Sequence, residues 1–403
     1  MAVKERKIAK SAAPAELPEG WRVVRFDEMA QLINDRVDDP SEAGVERYVG
    51  LEHLDPESLK IRRWGAPEDV EAQKLRFQPG DIIFGKRRAY QRKLAVADFE
   101  GICSAHAMVL RAHEETVVKD FLPFFMQSDS FFERALSISV GSLSPTINWK
   151  TLASQRFAIS PKNEQHHIAE ILGAADELSE QLISVIDDVK KLSSAFWREE
   201  FSKGKWQTVP LGNIADISNG STPSRKIERY WLNGNIAWLP TGKVHDRIVR
   251  KADECVTADA LKECPIRLYP VGSVLIAMIG EGKTRGSVAY LGIEACINQN
   301  FACAVPKKGI DGWFLFYYLE NCYEQLRNFS HGSNQGALNC RILREFPVQV
   351  PQESEQQRIV KVFQALDASR KRAEDYAAKT FNLKKQLLSE LLDVERQDAT
   401  MVR

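Results

Sequence analysis

The chain has 403 residues, 44% of them hydrophobic, and its 55 Lys and Arg balance 55 Asp and Glu, an ordinary globular composition with material for two or three domains. The longest apolar run, ten residues at 271–280, is too short to span a bilayer, and the first twenty residues lack the apolar centre of a signal peptide, so a cytoplasmic protein is expected. Seven cysteines without a C-x-x-C pair suit reduced core thiols rather than a disulfide framework or a zinc site.

Residues 1–20, rich in Ala, Lys and Glu and closed by Pro18 and Gly20, read as a solvated tail. A first globular domain is expected over 21–161, mixing strand-like runs such as 81–84 with helical ones at 121–126 and 131–136. Immediately after the 81–84 strand comes GKRRAYQRK (85–93), which packs Lys86, Arg87, Arg88, Arg92 and Lys93 beside Tyr90. Local cations of this kind neutralise phosphates, and planar guanidinium and amide groups read base edges by paired hydrogen bonds. A long helix is expected over 162–202, with Asn163 at its N-cap. Its apolar seam is Ile168, Ile171, Ala175, Leu178, Leu182, Val185, Val189, Leu192 and Phe196, spaced alternately three and four apart as in a coiled coil.

A second globular domain is expected over 203–351, with strand-like runs at 274–279 and 287–291 and a helical run at 313–319. Its polar and cationic loops offer Thr222, Ser224, Arg225 and Lys226 in STPSRKIERYW (221–231), Lys243 in TGKVHDRIVRK (241–251), Lys283 and Arg285 in the run that follows 274–279, and Asn334 and Gln335 in HGSNQG (331–336). A second long helix is expected over 352–397, with Ser354 as N-cap and a seam of Ile359, Val362, Leu366, Ser369, Ala373, Tyr376, Thr380, Leu383 and Leu387.

The two halves repeat each other. SPKNEQHHIAEILGAADE (160–177) returns as VPQESEQQRIVKVFQALDA (350–368), matching Glu164-Gln165, Ile168 and Asp176 with Glu355-Gln356, Ile359 and Asp367. Ile82-Ile83-Phe84 likewise parallels Val274-Leu275-Ile276, and Gly141-Ser142 with Asn148 parallels Gly332-Ser333 with Asn339. Two like domains, each followed by a helix with a like seam, predict an internal pseudo-twofold in which the helices pair antiparallel. The fold class is therefore α+β: two tandem mixed domains and a helical coiled coil.

No catalytic constellation emerges. AMIGEGKT (277–284) formally satisfies a relaxed phosphate-loop pattern, which would make an ATP-dependent enzyme the alternative reading. That loop, however, must hand its anion to a following helix, whereas this chain continues as RGSVAYLG and predicts a β-hairpin tip. Neutrality is a sum over opposite parts, since 203–350 holds 18 Lys and Arg against 13 Asp and Glu while 164–200 holds 3 against 9. Basic loops suit nucleic acid and acidic helix faces suit protein partners.

The order domain, helix, domain, helix, together with GSTPSRKIERYWLNGNIAWLPTGKV (220–244), INQNFACAVP (297–306), HGSNQGALNCRILREFPVQVP (331–351) and ESEQQRIVKVFQALD (353–367), resembles the specificity subunit of type I restriction-modification systems. The first half, with RYVGLEHLDP (47–56) in the corresponding place, looks like a divergent domain of the same kind. The resemblance implies a non-catalytic reader of double-stranded DNA, whose two target recognition domains each read half of a bipartite target. The helix pair would set the gap and dock two modification (methyltransferase) subunits, with restriction subunits joining through the complex. The chain would carry no cofactor of its own, S-adenosylmethionine, ATP and magnesium belonging to the partners. A free-standing DNA-binding regulator using the same domains is a further alternative.

Overall fold

A computed structural model describes residues 17–201, 206–280, 282–329 and 338–392. They form two compact units: 17–184 with 374–392, and Val185–Ala373.

In the first unit Ala30–Ile33, Ala107–Ala112, Ile82–Gly85 and Leu94–Val96 lie in that order in an antiparallel sheet. A second sheet orders Arg36–Val37, Lys74–Phe77, Gly101–Ser104 and Tyr48–Val49. Alternation along the strands explains the layering. Ile83, Ala95 and Val109 point into one core with Leu75, Phe77 and Cys103 of the second sheet, whereas Ile82, Phe84, Leu94 and Leu110 point into another with Phe121, Phe125 and Phe131 of the helices Phe121–Gln127 and Asp129–Ser137. Burial on both faces is why this strand reads as an unbroken apolar run.

The second unit repeats the design. Ala215–Asn219, Phe301–Pro306, Val274–Ala277 and Val288–Leu291 follow the same strand order, with Ile248–Val249 added in parallel at the edge. Glu254–Val256, Ile236–Leu239 and Cys296–Ile297 make the second sheet. Val274 and Ile276 pack with Phe314, Leu315 and Tyr318 of the helix Gly312–Asn321, while Leu275 and Ala277 face Leu239 and Ile297. The suspected phosphate loop is the turn between Val274–Ala277 and Val288–Leu291, which pair antiparallel, so a strand follows it rather than a helix.

Each domain is closed by a two-stranded ribbon: Arg22–Arg25 with Arg156–Ile159, and Gln207–Pro210 with Pro347–Val350. The long helices follow as Lys162–Phe201 and Glu353–Leu392, 40 residues each; positions 202 and 393–397 of the expected spans lie outside the described residues. Asn163 and Ser354, expected as N-caps, lie one residue inside the helices. The repeated glutamines do the anchoring instead. Gln165 accepts from Val118 N and donates to Ser160 O, and Gln356 accepts from Asp311 N and donates to Pro351 O and Gly309 O. Both side chains are buried, so the repeat preserves a polar staple between domain and helix.

The helices pair antiparallel within each unit. In the first, Leu387, Leu388 and Leu391 pack with the cluster containing Ile168 and Leu172, and Lys384 bridges Asp176. In the second, Phe196 meets Phe363 at 5.4 Å between centroids and Arg358 bridges Glu200 at 2.8 Å. The seam differs from expectation at alternate positions: Ile168, Ala175, Leu182, Val189 and Phe196 are at least half-buried, but Leu178, Val185 and Leu192 are exposed. Their places are taken by the next residues, Ser179, Ile186 and Ser193, and in the second helix Tyr376 and Leu383 are exposed while Ala377 and Lys384 turn inward. Each domain also clamps its own helix through an arginine. Arg62 bridges Asp55 and Glu180, and Arg247 bridges Glu320 and Asp367.

Candidate nucleic-acid interface

The cationic stretch of the first domain is a tight turn between the antiparallel strands Ile82–Gly85 and Leu94–Val96. Arg88 and Arg92 bracket a single 3-10 turn, Ala89–Gln91, both in the left-handed region with φ of 55° and 52°. The turn is fastened to residues 140–147: Arg88 N donates to Pro145 O at 2.8 Å, and Ile147 N to Lys86 O at 3.0 Å. Two loops far apart in sequence thus form one surface. The second domain repeats this fastening, with Leu338 N donating to Met278 O at 3.0 Å.

The cations of 85–93 divide into two sets. Arg92 is turned inward, donating to Asp129 at 2.6 Å and Gln127 O at 2.7 Å with its guanidinium over Phe132. Lys93 donates to Leu51 O at 2.7 Å. These two brace the domain, correcting the expectation that they face a ligand. Lys86, Arg87 and Arg88 form no ion pair among the described residues, and Arg88 and Tyr90 are exposed.

Arg87 Nη1 donates to His106 Nε2 at 3.0 Å. Burial, followed by Arg87, Lys86 and Lys74, holds His106 below the ordinary imidazole value. Burial, with Arg36 nearby, holds Lys86 below the usual lysine range. This is an uncompensated cluster of positive charge, the electrostatic condition for a polyanion site. His106 escapes a reading of the sequence because it joins through strand pairing: Gly85 lies opposite Ala107, so the turn beyond Gly85 meets the residue before Ala107. Arg47, over the rings of both Trp64 and Phe99 at 4.5 Å, is another cation the sequence did not single out.

In the second domain the GSTPS segment runs beside 297–300. Ser221 N donates to Ile297 O at 3.0 Å, and Thr222 Oγ1 donates to Gln299 Oε1 at 2.6 Å. Gly220 is required there, since a Cβ would lie 1.9 Å from Ile297 O. Asn298 and Thr241 hydrogen-bond side chain to side chain at 2.9–3.0 Å. Arg225 stacks on Trp231 at 3.6 Å and pairs with Glu254, while Trp231 Nε1 donates to Ser224 O at 3.2 Å; Ser224 and Lys226 are exposed.

Lys243 is a correction: it is buried and bridges Asp246 at 3.0 Å and Asp253 at 2.8 Å, neutralised within the domain. Lys283 is exposed at the hairpin tip, where its carbonyl accepts from Tyr323 Oη at 3.0 Å. Arg285 is half-buried, and its carbonyl accepts from Arg327 at 3.1 Å. Asn334 and Gln335 lie outside the described residues.

The family model for the type I restriction modification DNA specificity domain matches twice, over residues 18–188 and 203–375. The MjaIX specificity subunit of Methanocaldococcus jannaschii is 29% identical over 186 residues, 42% of this chain and 41% of that protein. The EcoR124I/EcoR124II specificity subunit of Escherichia coli is 23% identical over 210 residues, 50% of this chain and 52% of that protein. The chain thus spans about half the length, or less, of these curated relatives. Among solved structures, the type I restriction-modification S subunit from M. genitalium aligns over 95% of this chain and 98% of its own, with a TM-score of 0.63 and 16% identity. A chain from a study of complex assembly and conformational transition of the type I R-M system aligns over 94% of this chain and 99% of its own, with a TM-score of 0.57 and 20% identity. These two likenesses concern the fold. With both of its domains matched by one model, the chain belongs to the type I restriction modification DNA specificity domain family.

Proposed function

We propose that the chain is the sequence-reading subunit of a type I restriction-modification complex, with each domain reading one half of a bipartite DNA target. The observation that carries this is the Lys86, Arg87 and Arg88 turn, left without ion pairs among the described residues while Arg92, Lys243 and Arg225 have carboxylate partners. Cations without a carboxylate partner need break no ion pair to meet phosphate, and they release counterions when they do. Exposed hydroxyl and ammonium groups in the second domain, at Ser224 and Lys226, suit base edges and phosphates alike.

The helices hold the readers and offer the docking surface. In the first unit Leu178, Tyr376 and Leu383, and in the second Val185 and Leu192, are exposed apolar side chains of the long helices, of a kind that protein partners cover. Two modification subunits are the proposed partners, with restriction subunits joining through them. Methyl transfer from S-adenosylmethionine and ATP- and magnesium-dependent cleavage belong to those partners, in the cytoplasm. The ATP-dependent reading has no support here, because a strand rather than a helix follows residues 277–284.

The test is to express the chain with its modification subunits in a host and map adenine methylation across the genome. A split motif, with two specified parts separated by a constant gap, is expected. Continuous motifs, or no methylation with an assembled complex, overturn the reading.

A further inference from the structure

Resting on the DNA-reading role above, we infer that Leu143 is a wedge that the first domain inserts between adjacent base pairs of its half-site, so that this domain reads deformability as well as base edges. The loop bearing it joins the helices Asp129–Ser137 and Trp149–Ala153. Val140 and Thr146 close it by exchanging backbone hydrogen bonds, at 3.0 Å and 2.9 Å. Gly141 supplies a φ of 114° that a side-chain-bearing residue would rarely adopt. Leu143 stands on this closed loop 92% exposed, with Val140 76% exposed behind it.

A single exposed leucine is ordinary on a protein surface. What distinguishes this one is its footing. The backbone beneath it is fastened to the cationic turn through Pro145 O and Lys86 O, and Arg87 and Thr146 form a β-bridge. Whatever phosphate Arg87 and Arg88 hold is therefore held beside the apolar tip, and Tyr90, 54% exposed, belongs to the same turn. An exposed apolar side chain on a loop tied to a turn whose guanidinium groups have no carboxylate partner among the described residues has the chemistry of a duplex-opening wedge: phosphates anchor the turn while the side chain replaces part of a base stack. A protein partner would be a poorer match, since burying Leu143 there would also desolvate cations that have no carboxylate of their own. The repeat supports a division of labour. With Gly141-Ser142 matched to Gly332-Ser333, the position equivalent to Leu143 is Asn334, which can hydrogen-bond but cannot wedge.

The experiment uses the assembled complex with its modification subunits and a duplex carrying the motif mapped for the wild-type system, dye-labelled at both ends so that bending changes energy transfer. The wild type is expected to bend this duplex. Leu143→Ala and Leu143→Asn are expected to lose most of the bend and Leu143→Met to keep it. Affinity should change by less than about tenfold for Leu143→Ala, because the cost of unstacking disappears together with the wedge itself. An unrelated duplex reports the electrostatic component, which Leu143→Ala should leave unchanged and Arg87→Ala with Arg88→Ala should weaken. Unchanged thermal unfolding of the variants verifies the fold. A bend that survives Leu143→Asn, or a wild type that binds its target without bending it, overturns the wedge and leaves the DNA-reading role standing. Loss of subunit assembly in Leu143→Ala assigns the leucine to a protein interface and likewise overturns it. A wild-type complex that binds no DNA removes both readings together.

Discussion

At the scale of single residues, similar side chains in one short stretch have opposite duties. Arg88 begins the 3-10 turn exposed, whereas Arg92 ends it bonded to Asp129 and Gln127 O. Arg87→Ala with Arg88→Ala should therefore weaken binding to any duplex and lower the salt slope by about 0.9 for each phosphate no longer neutralised; a titration with monovalent salt measures it, and Arg92→Ala should instead lower stability. His106 adds a pH dependence. Exposed but partly desolvated, and beside Arg87, Lys86 and Lys74, its imidazole is held below the ordinary value of 6.5 and accepts from Arg87. A bound phosphate reverses that field and raises the imidazole value, so binding takes up a proton and affinity should rise as pH falls through the region below 6.5. His106→Gln should flatten that rise when binding is measured across pH.

At the scale of elements, the recurring Glu-Gln pair shows how a short motif encodes a junction. The glutamate stands in the first turn of each long helix, near its positive end, while the glutamine turns back to the domain. Gln356→Ala would leave Asp311 N without its acceptor and should cost about 1–3 kcal/mol, read by urea unfolding. Lys384 is the complementary case. It is buried in the seam and bridges Asp176, so Lys384→Ala leaves a carboxylate largely withdrawn from water and should cost about 3–5 kcal/mol, more than Lys385→Ala on the exposed face. The seam was half legible for a physical reason. Ile171 beside Leu172 and Val185 beside Ile186 offer two apolar registers, and the better-looking one passes over Ser179, Ser193 and Lys384. Which register faces inward depends on what the other helix presents, and polar residues enter a seam when a partner such as Asp176 answers them.

At the scale of the whole molecule, duplication makes the two readers separable. Because Lys86, Arg87 and Arg88 lie entirely in the first unit, Arg87→Ala with Arg88→Ala should relax only one part of the methylated motif and leave the other part and the gap unchanged, as methylation mapping of the variant would report. The tandem arrangement, the α+β class and the antiparallel helices follow from the sequence, since repeats and apolar periodicity are carried by the chain's own order. The sequence also determined that 277–284 forms a hairpin, through the strand-like run after it. Which cations are free could not be read there. Lys86, Arg87 and Arg88 look like Arg92, Lys93 and Lys243 along the chain, and only folding brings Asp129, Leu51 O and Asp253 to the second group and His106 and the 140–147 loop to the first. Charge is a property of a residue, but its neutralisation is a property of neighbours gathered from distant sequence, and that is what the tertiary structure alone decided.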